Sequence, residues 1–424
     1  MNGLDEIRSA RRDLDAVSDE IREVDGYRHF LAAPTFGDVS DAAREHPLVY
    51  VAAAAPGGVA LVVHGDEVRH VPLPRLTADA VQARVERHRA AYVKFQSNRS
   101  SGWKGWGLAL DDTTRWLWEE VMGDVLEAAP SASTLVLVSG GLLGLLPLHA
   151  AWVEDPARAD GRRYVLDSVA ISYVPNARSL HAAQHLATRD ARRVLAVADP
   201  SPKPLEFAGA EASLVAAAFD ESHVLDGTTV DAAKEANVEN VLTRLAQVDV
   251  AHFACHGFAD LMNPLESRLD LAGGQSLRLR DLLDLKNPLQ LRLATLSACE
   301  SSLPGTDLPD EVVSLPSGLL QAGVGGVVAS MWDVPDRPTS TLMAAFYWFW
   351  RHKGEAPSVA LQQAQNWARK TTHPEKVEFL NAAADAGMFP GQALEPLCRR
   401  LGDERDPRGD RTVAAWGAFS YVGA

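Results

Sequence analysis

The sequence predicts an α/β fold, a mostly parallel sheet flanked by helices, preceded by a smaller N-terminal α+β region. Three observations carry that prediction. From Thr134 onward, short apolar runs alternate with amphipathic stretches, the texture of strands that cross over through helices. Residues 291–301 (LRLATLSACES) hold an apolar run, Leu291, Leu293, Ala294, Leu296 and Ala298, that reads as a strand buried on both faces and breaks into small polar residues at Cys299. Residues 248–257 (VDVAHFACHG) have the same build and end in His256 and Gly257. Open α/β sheets place their ligands at such strand ends, and two neighbouring parallel strands would bring these ends together.

In chain order, residues 1–34 read as one or two amphipathic helices, with Leu4, Ile7, Leu14, Val17 and Ile21 at helical spacing. Residues 49–72 alternate apolar and polar around Pro56-Gly57-Gly58 and Gly65-Asp66, which predicts a small β-meander. Residues 77–96 and 111–128 read as helices. Between them, the Gly/Ser-rich stretch 97–107 (SNRSSGWKGWG) reads as a loop. Trp103, Trp106, Trp116 and Trp118 cluster here, an aromatic patch of the core or of an interdomain seam; a stacking platform for a ligand is the competing reading. Residues 139–144 (SGGLLG) lack the Gly-Lys-Ser/Thr that reaches phosphate and Mg²⁺, so they form a turn and not a phosphate loop. Strands are expected at 135–138, 164–174, 194–198 and 223–225, helices at 209–219 and 230–245, and a hairpin at 268–279. A short helix at 282–285 leads to the Cys299 strand. Residues 301–316 carry three prolines and three acids and read as a loop, mobile at rest and ordered on activation. A helix at 317–322, a strand at 327–331, helices at 339–351 and 358–370 and a closing strand at 414–422 complete the chain. No period of about 34 residues is present, so no helical-repeat array is encoded.

Composition narrows the function. The 424 residues allow two or three domains. Lys and Arg total 41 against 56 Asp and Glu, a formal charge of −15, which argues against DNA or RNA as a direct partner and favours basic proteins. Three cysteines make no disulfide framework and fit a reducing cytoplasm. The charged, amphipathic start is not a signal peptide, and no uncharged apolar run is long enough to span a bilayer, so no membrane partner is expected.

A thiol attacks carbonyls as its thiolate, which a neighbouring imidazole can generate. Cys299 and His256 are the natural pair, and the amides of Gly257 and Cys299 are candidate donors to a developing oxyanion. Each residue also has a plain structural alternative: a buried small hydrophobe for the cysteine, a hydrogen-bonded core group for the histidine. His252, Cys255 and His256 lack the second ligand pair that zinc wants. Strand alternation turns Cys255 to the opposite face, so Cys255 and His252 belong to the core. Cys398 is an incidental helix residue. Neither Gly-x-Ser-x-Gly nor His-Glu-x-x-His occurs, and no metal or cofactor is expected.

The blocks HFACHG (252–257) and LSACES (296–301) resemble the two signature blocks of the CHAT family, bacterial caspase-like domains of the clan that includes caspases and separases. LVSGGLLGLLPLHA (137–150), ISYVPNARSL (171–180), LLQAGVGGVVASMWDV (319–334) and residues 416–423 resemble further family blocks in the same order. The resemblance covers about residue 125 to the end, which divides the chain into an accessory region, 1–125, and a caspase-like domain, 126–424. It implies a cysteine endopeptidase with His256 as base and then acid, Cys299 as nucleophile, and Gly257 and Cys299 forming the oxyanion hole. Caspase-type Gln-Ala-Cys-x-Gly is replaced by Ser297-Ala298-Cys299-Glu300, so a preference for Asp before the cut does not follow. The family is often fused to helical repeats; their absence suggests a separate helical-repeat (TPR-like) sensor in a bacterial defence or signalling system. A catalytically inactive scaffold or docking module is the alternative. Asp270, Glu300, Asp310, Glu311 and Asp333 make the surroundings acidic. Asp333, after a strand and Trp332, is the candidate for the pocket that takes the P1 side chain, with Glu300 beside the nucleophile. A carboxylate there favours Arg or Lys; a hydrophobic P1 pocket is the competing expectation.

Overall fold

The computed structural model describes residues 3–24, 34–201, 205–227, 231–260, 262–297, 314–403 and 409–424. Cys299, Glu300 and the acidic segment as far as residue 313 lie outside the described residues.

Among the described residues, eleven strands form one sheet: β1 (Leu48–Ala54), β2 (Gly57–His64), β3 (Glu67–Leu73), β4 (Thr134–Ser139), β5 (Ala170–Tyr173), β6 (Arg193–Ala198), β7 (Glu221–Leu225), β8 (Val250–Ala254), β9 (Leu293–Leu296), β10 (Gly326–Ser330) and β11 (Phe419–Gly423). Their spatial order is β3-β2-β1-β4-β5-β11-β10-β9-β8-β6-β7. From β1 to β7 every pairing is parallel except that of β11 with β10. Parallel neighbours need long crossovers, and these carry helices to the faces of the sheet. The helices include α1 (Gly3–Arg22), α2 (Ala78–Ser97), α3 (Arg99–Leu117), α4 (Ala208–Ala217), α5 (Val238–Leu245), α6 (Leu315–Gln321), α7 (Asp336–Tyr347), α8 (Pro357–Lys370), α9 (His373–Asp385) and α10 (Gly391–Asp403). Alternate strand residues serve opposite cores. Val250, Leu293 and Val328 pack with α2, α3 and α7 to α10, while Ala251, Phe253, Leu296 and Ala329 pack with α5 and α6. Burial on both faces is why these strands read as unbroken apolar runs.

The predicted meander is present, and because β1 lies parallel to β4 it continues the central sheet. The predicted hairpin pairs Arg268–Asp270 with Ser276–Arg278, and Gly257–Phe258 adds a third strand. Several boundaries differ. The helix expected from 230 begins only at Val238, where the Asn237 side chain accepts the Asn240 N–H at 2.9 Å and caps it. Leu315 and Pro316 belong to α6, capped by Ser314, and not to the acidic loop. The closing strand starts at Phe419, after a helical turn at Val413–Trp416. Helix α9 has no counterpart in the sequence reading, and α10 has one only in the helical placement of Cys398.

The Gly/Ser-rich stretch at 97–107 is helix on both sides of a one-residue break at Asn98, not loop. Trp106 is buried and packs on Tyr92 of α2, ring centroids 4.9 Å apart, so tertiary packing overrides weak local propensity. Gly102 has a packing reason: a Cβ there would lie 2.6 Å from Phe95 Cα, on the neighbouring helix. Gly105 faces open space. Gly102→Ala should therefore destabilise the protein by about 1–3 kcal/mol. Gly105→Ala should stabilise it by about 0.5–1 kcal/mol through helix propensity. Opposite shifts of the thermal midpoint check this; equal shifts would remove the close-approach argument.

Candidate active site

Strands β8 and β9 run parallel with Val250 opposite Leu293 and Phe253 opposite Leu296. His256 lies just beyond the end of β8. Strand β6 flanks β8 on its other side and ends with Ala198 opposite Ala254, so Asp199 follows directly. His256 Nε2 stands 3.6 Å from Asp199 Oδ2. That is too long for a hydrogen bond, but it sets a buried carboxylate directly beside the ring. Asp199 is held firmly: its carboxylate accepts the Ser201 N–H at 3.0 Å, the Ser201 hydroxyl at 3.2 Å and the Leu205 N–H at 2.6 Å. The His256 ring is 40% exposed above an aspartate that is 1% exposed. The His256 carbonyl accepts the Asp270 N–H at 2.9 Å, and Gly257 pairs with Leu269, so the three-stranded hairpin holds the backbone around the base.

A cleft of about 560 Å³ opens beside this histidine, lined among others by His256, Gly257, Asp333, Asp336, Trp103 and Arg99. The structure thus brings three predicted site residues, His256, Gly257 and Asp333, to one cavity. Asp333 follows β10 and its side chain is 7% exposed. Its N–H donates to the Tyr92 hydroxyl at 2.9 Å, and its carboxylate pairs with the Arg99 guanidinium. The preceding Trp332 donates its indole N–H to the Ala414 carbonyl at 2.9 Å and meets Trp106 edge-on, centroids 5.8 Å apart. At the start of α7, the Asp336 carboxylate accepts the Phe207 N–H at 2.7 Å. Burial pushes its pKa up to about 6, and the nearby Glu211 charge adds to the rise.

Behind the strand ends lies a buried polar chain. His252 Nε2 is 2.9 Å from Glu211 Oε1, and its Nδ1 is 3.2 Å from the Tyr347 hydroxyl, which meets Thr295 Oγ1 at 3.1 Å. The Ser340 hydroxyl donates to the other Glu211 oxygen at 2.6 Å. His252 and Cys255 are buried, as expected of core residues. Cys398 sits half-buried on α10, where burial raises its thiol pKa. Asp270 is bonded to Arg268 and Ser276 within the hairpin. Among the described residues, no group of three or more His, Cys, Asp or Glu is placed to hold a metal ion, and no helix is long and apolar enough to cross a membrane.

Sequence reasoning missed Asp199. The available signal was an acid directly after a buried strand, the same placement that singled out His256.

This architecture defines a caspase-like α/β protein. It is similar to a chain of the Saccharomyces cerevisiae separase–securin complex in two crystal structures, with TM-scores of 0.54 and 0.53 and 10% identity in each. Those matches cover 96% and 97% of this chain and 32% and 33% of the matched chain, so this chain spans about a third of the separase length. The Arg-specific cysteine proteinase gingipain R aligns with a TM-score of 0.37 and 11% identity, over 74% of this chain and 66% of its own. A comparison with curated proteins finds no match. The sequence matches the CHAT domain family over residues 111–424, and the chain belongs to that family.

Two predictions follow from the geometry of the site. His252→Ala removes one of the two side-chain partners of the buried Glu211 carboxylate, leaving Ser340, and should cost about 1–3 kcal/mol. His256→Ala, at an exposed ring, should change stability by less than about 1 kcal/mol. Denaturant midpoints of the two variants check the contrast. Asp336 binds its proton more tightly folded than unfolded, so its contribution to stability falls as pH rises from about 4 to about 6 and is constant above. The stability of wild type relative to Asp336→Asn should decline across that window; a difference that does not vary with pH would contradict it.

Proposed function

We propose that the chain is a cysteine endopeptidase that cleaves protein substrates with His256 and Cys299. The observation that carries the reading is the β8–β9 register. Phe253 and Leu296 are paired, and each reactive residue comes three positions further along its own chain. The cleft beside His256 and Gly257 gives a substrate room to lie against that base.

His256 takes the Cys299 proton, and the thiolate Sγ bonds to the scissile carbonyl carbon. The oxyanion accepts from the amides of Gly257 and Cys299. The tetrahedral intermediate then expels the amine, which takes its proton from the His256 imidazolium. Water, deprotonated by His256, attacks the acyl-enzyme and frees the carboxylate product and the thiol. Asp199 stabilises the imidazolium in both halves. Asp333, with Glu300 next to the nucleophile, binds a basic P1 side chain. Control by a separate helical-repeat protein, within a bacterial defence or signalling system, completes the reading. A protein partner is in keeping with the separase neighbour, which is crystallised in complex with securin. An inactive docking module would not need both dyad positions filled, and both are.

Iodoacetamide should modify Cys299 before Cys255 and Cys398, and His256→Ala should slow that step about tenfold or more. In a P1-varied fluorogenic series, Arg or Lys substrates should lead, and Asp333→Ala should lower their kcat/KM about 100-fold. Equal labelling of all three cysteines would sink the dyad. A preference for Leu or Asp would remove Asp333 from the pocket.

A further inference from the structure

The cleft beside His256 already contains a guanidinium. Arg99 opens α3, directly after the break that separates it from α2, and its charged end pairs with Asp333. The two partners are unequally exposed, 67% for the arginine side chain and 7% for the aspartate. Arg369 differs: its side chain is 4% exposed on an Asp167 that is 1% exposed, an ion pair enclosed within the protein. Arg99 reaches its acid from the open side of a cleft that both residues line together with His256 and Gly257.

The same helix pair holds the acid in place. The Tyr92 hydroxyl of α2 receives the Asp333 N–H, and Trp106 of α3 packs on Trp332. The N-terminal helices therefore position the buried carboxylate and also supply a cation to it. A buried carboxylate needs a counter-charge or strong hydrogen bonds, and a planar guanidinium provides both. An arginine side chain arriving from a substrate would offer the same group. An ammonium would offer a point charge without the planar fork.

We infer that Arg99 stands where the guanidinium of a substrate arginine binds, so that the N-terminal helix pair competes with substrate for Asp333. This deepens the peptidase reading and rests on it for the substrate's part. It selects Arg over Lys at P1 and makes displacement of Arg99 a condition of productive binding. The exposed stem of Arg99 allows it to swing out while Trp106 and Tyr92 keep the pocket formed.

The test uses the full chain and Nα-acetyl-arginine amide as probe, with binding followed by saturation-transfer NMR. Wild type should bind weakly, and Arg99→Ala about tenfold more tightly, the order expected for loss of a competing ion pair. Arg99→Lys should fall between them, and Nα-acetyl-lysine amide should bind Arg99→Ala less well than the arginine probe. Arg99→Ala with Asp333→Asn should lose the gain. In parallel, Arg99→Ala should lower KM for a P1-Arg peptide about three- to tenfold with kcat little changed. Tighter probe binding without any peptide cleavage would support the pocket and overturn the peptidase reading. Cleavage of P1-Arg peptides with the same KM and probe affinity in wild type and Arg99→Ala would overturn the competition and leave the peptidase reading standing.

Discussion

The parallel pairing of β8 with β9, buried on both faces, is the constraint on which the rest of the molecule depends. Phe253 and Leu296 sit opposite one another and point into the same core. Each such side chain contributes roughly 1.5–3 kcal/mol by leaving water. A slip of one residue would turn every one of these groups to the other face, so the register is held by packing on both sides at once. No exposed surface remains along the strands for chemistry. Reactive groups are displaced to the strand ends, and the register that packs the core also decides which ends are neighbours. Asp199 and His256 follow from this rule, on adjacent strands that finish level with one another.

The polar chain behind the strand ends ties helices to that register. Glu211 comes from α4, Ser340 and Tyr347 from α7, His252 from β8 and Thr295 from β9. A satisfied buried network adds little net stability, but any member left alone costs its full desolvation. The network therefore penalises alternative packings of α4 and α7 more than it stabilises the native one. Asp336 opens α7 and lies within reach of the Ser340 hydroxyl at 3.5 Å, so the cleft wall and the buried chain share a helix. The position of the cleft is in this way coupled to the core without any side chain of the core being exposed.

The sheet was legible because burial on both faces writes itself as unbroken apolar runs. His256, Gly257 and Asp333 were singled out because each follows such a run, and the structure sets all three on one cleft. Asp199 was hidden by its surroundings: Asp-Pro-Ser-Pro reads as turn chemistry, and the carboxylate does bind the turn's own N–H groups before it reaches the imidazole. The first half of helix α3 was hidden because Gly102 answers to a neighbouring helix and not to local propensity. Residues 231–237 carried the opposite error: the helical pattern extends over them, but the helix starts only after the Asn237 cap. The Arg99–Asp333 pair has no sequence signature, because it joins segments that only the three-dimensional packing of α2, α3 and the end of β10 brings together.

That packing bears on what the N-terminal region is for. The family match begins at residue 111, inside α3, whereas the likeness to separase covers 96% of the chain. Three contacts from α2 and α3 converge on two consecutive residues, Trp332 and Asp333. They differ widely in strength. Trp106 is 1% exposed, and emptying such a site costs about 3–5 kcal/mol. An ion pair with one largely exposed partner is worth on the order of 1 kcal/mol or less. Force applied to the helix pair, or a competing cation, would therefore part Arg99 from Asp333 long before the tryptophans separate. The acid stays buried and oriented while its counter-ion is exchanged, which is the property a binding pocket requires and a purely structural salt bridge does not.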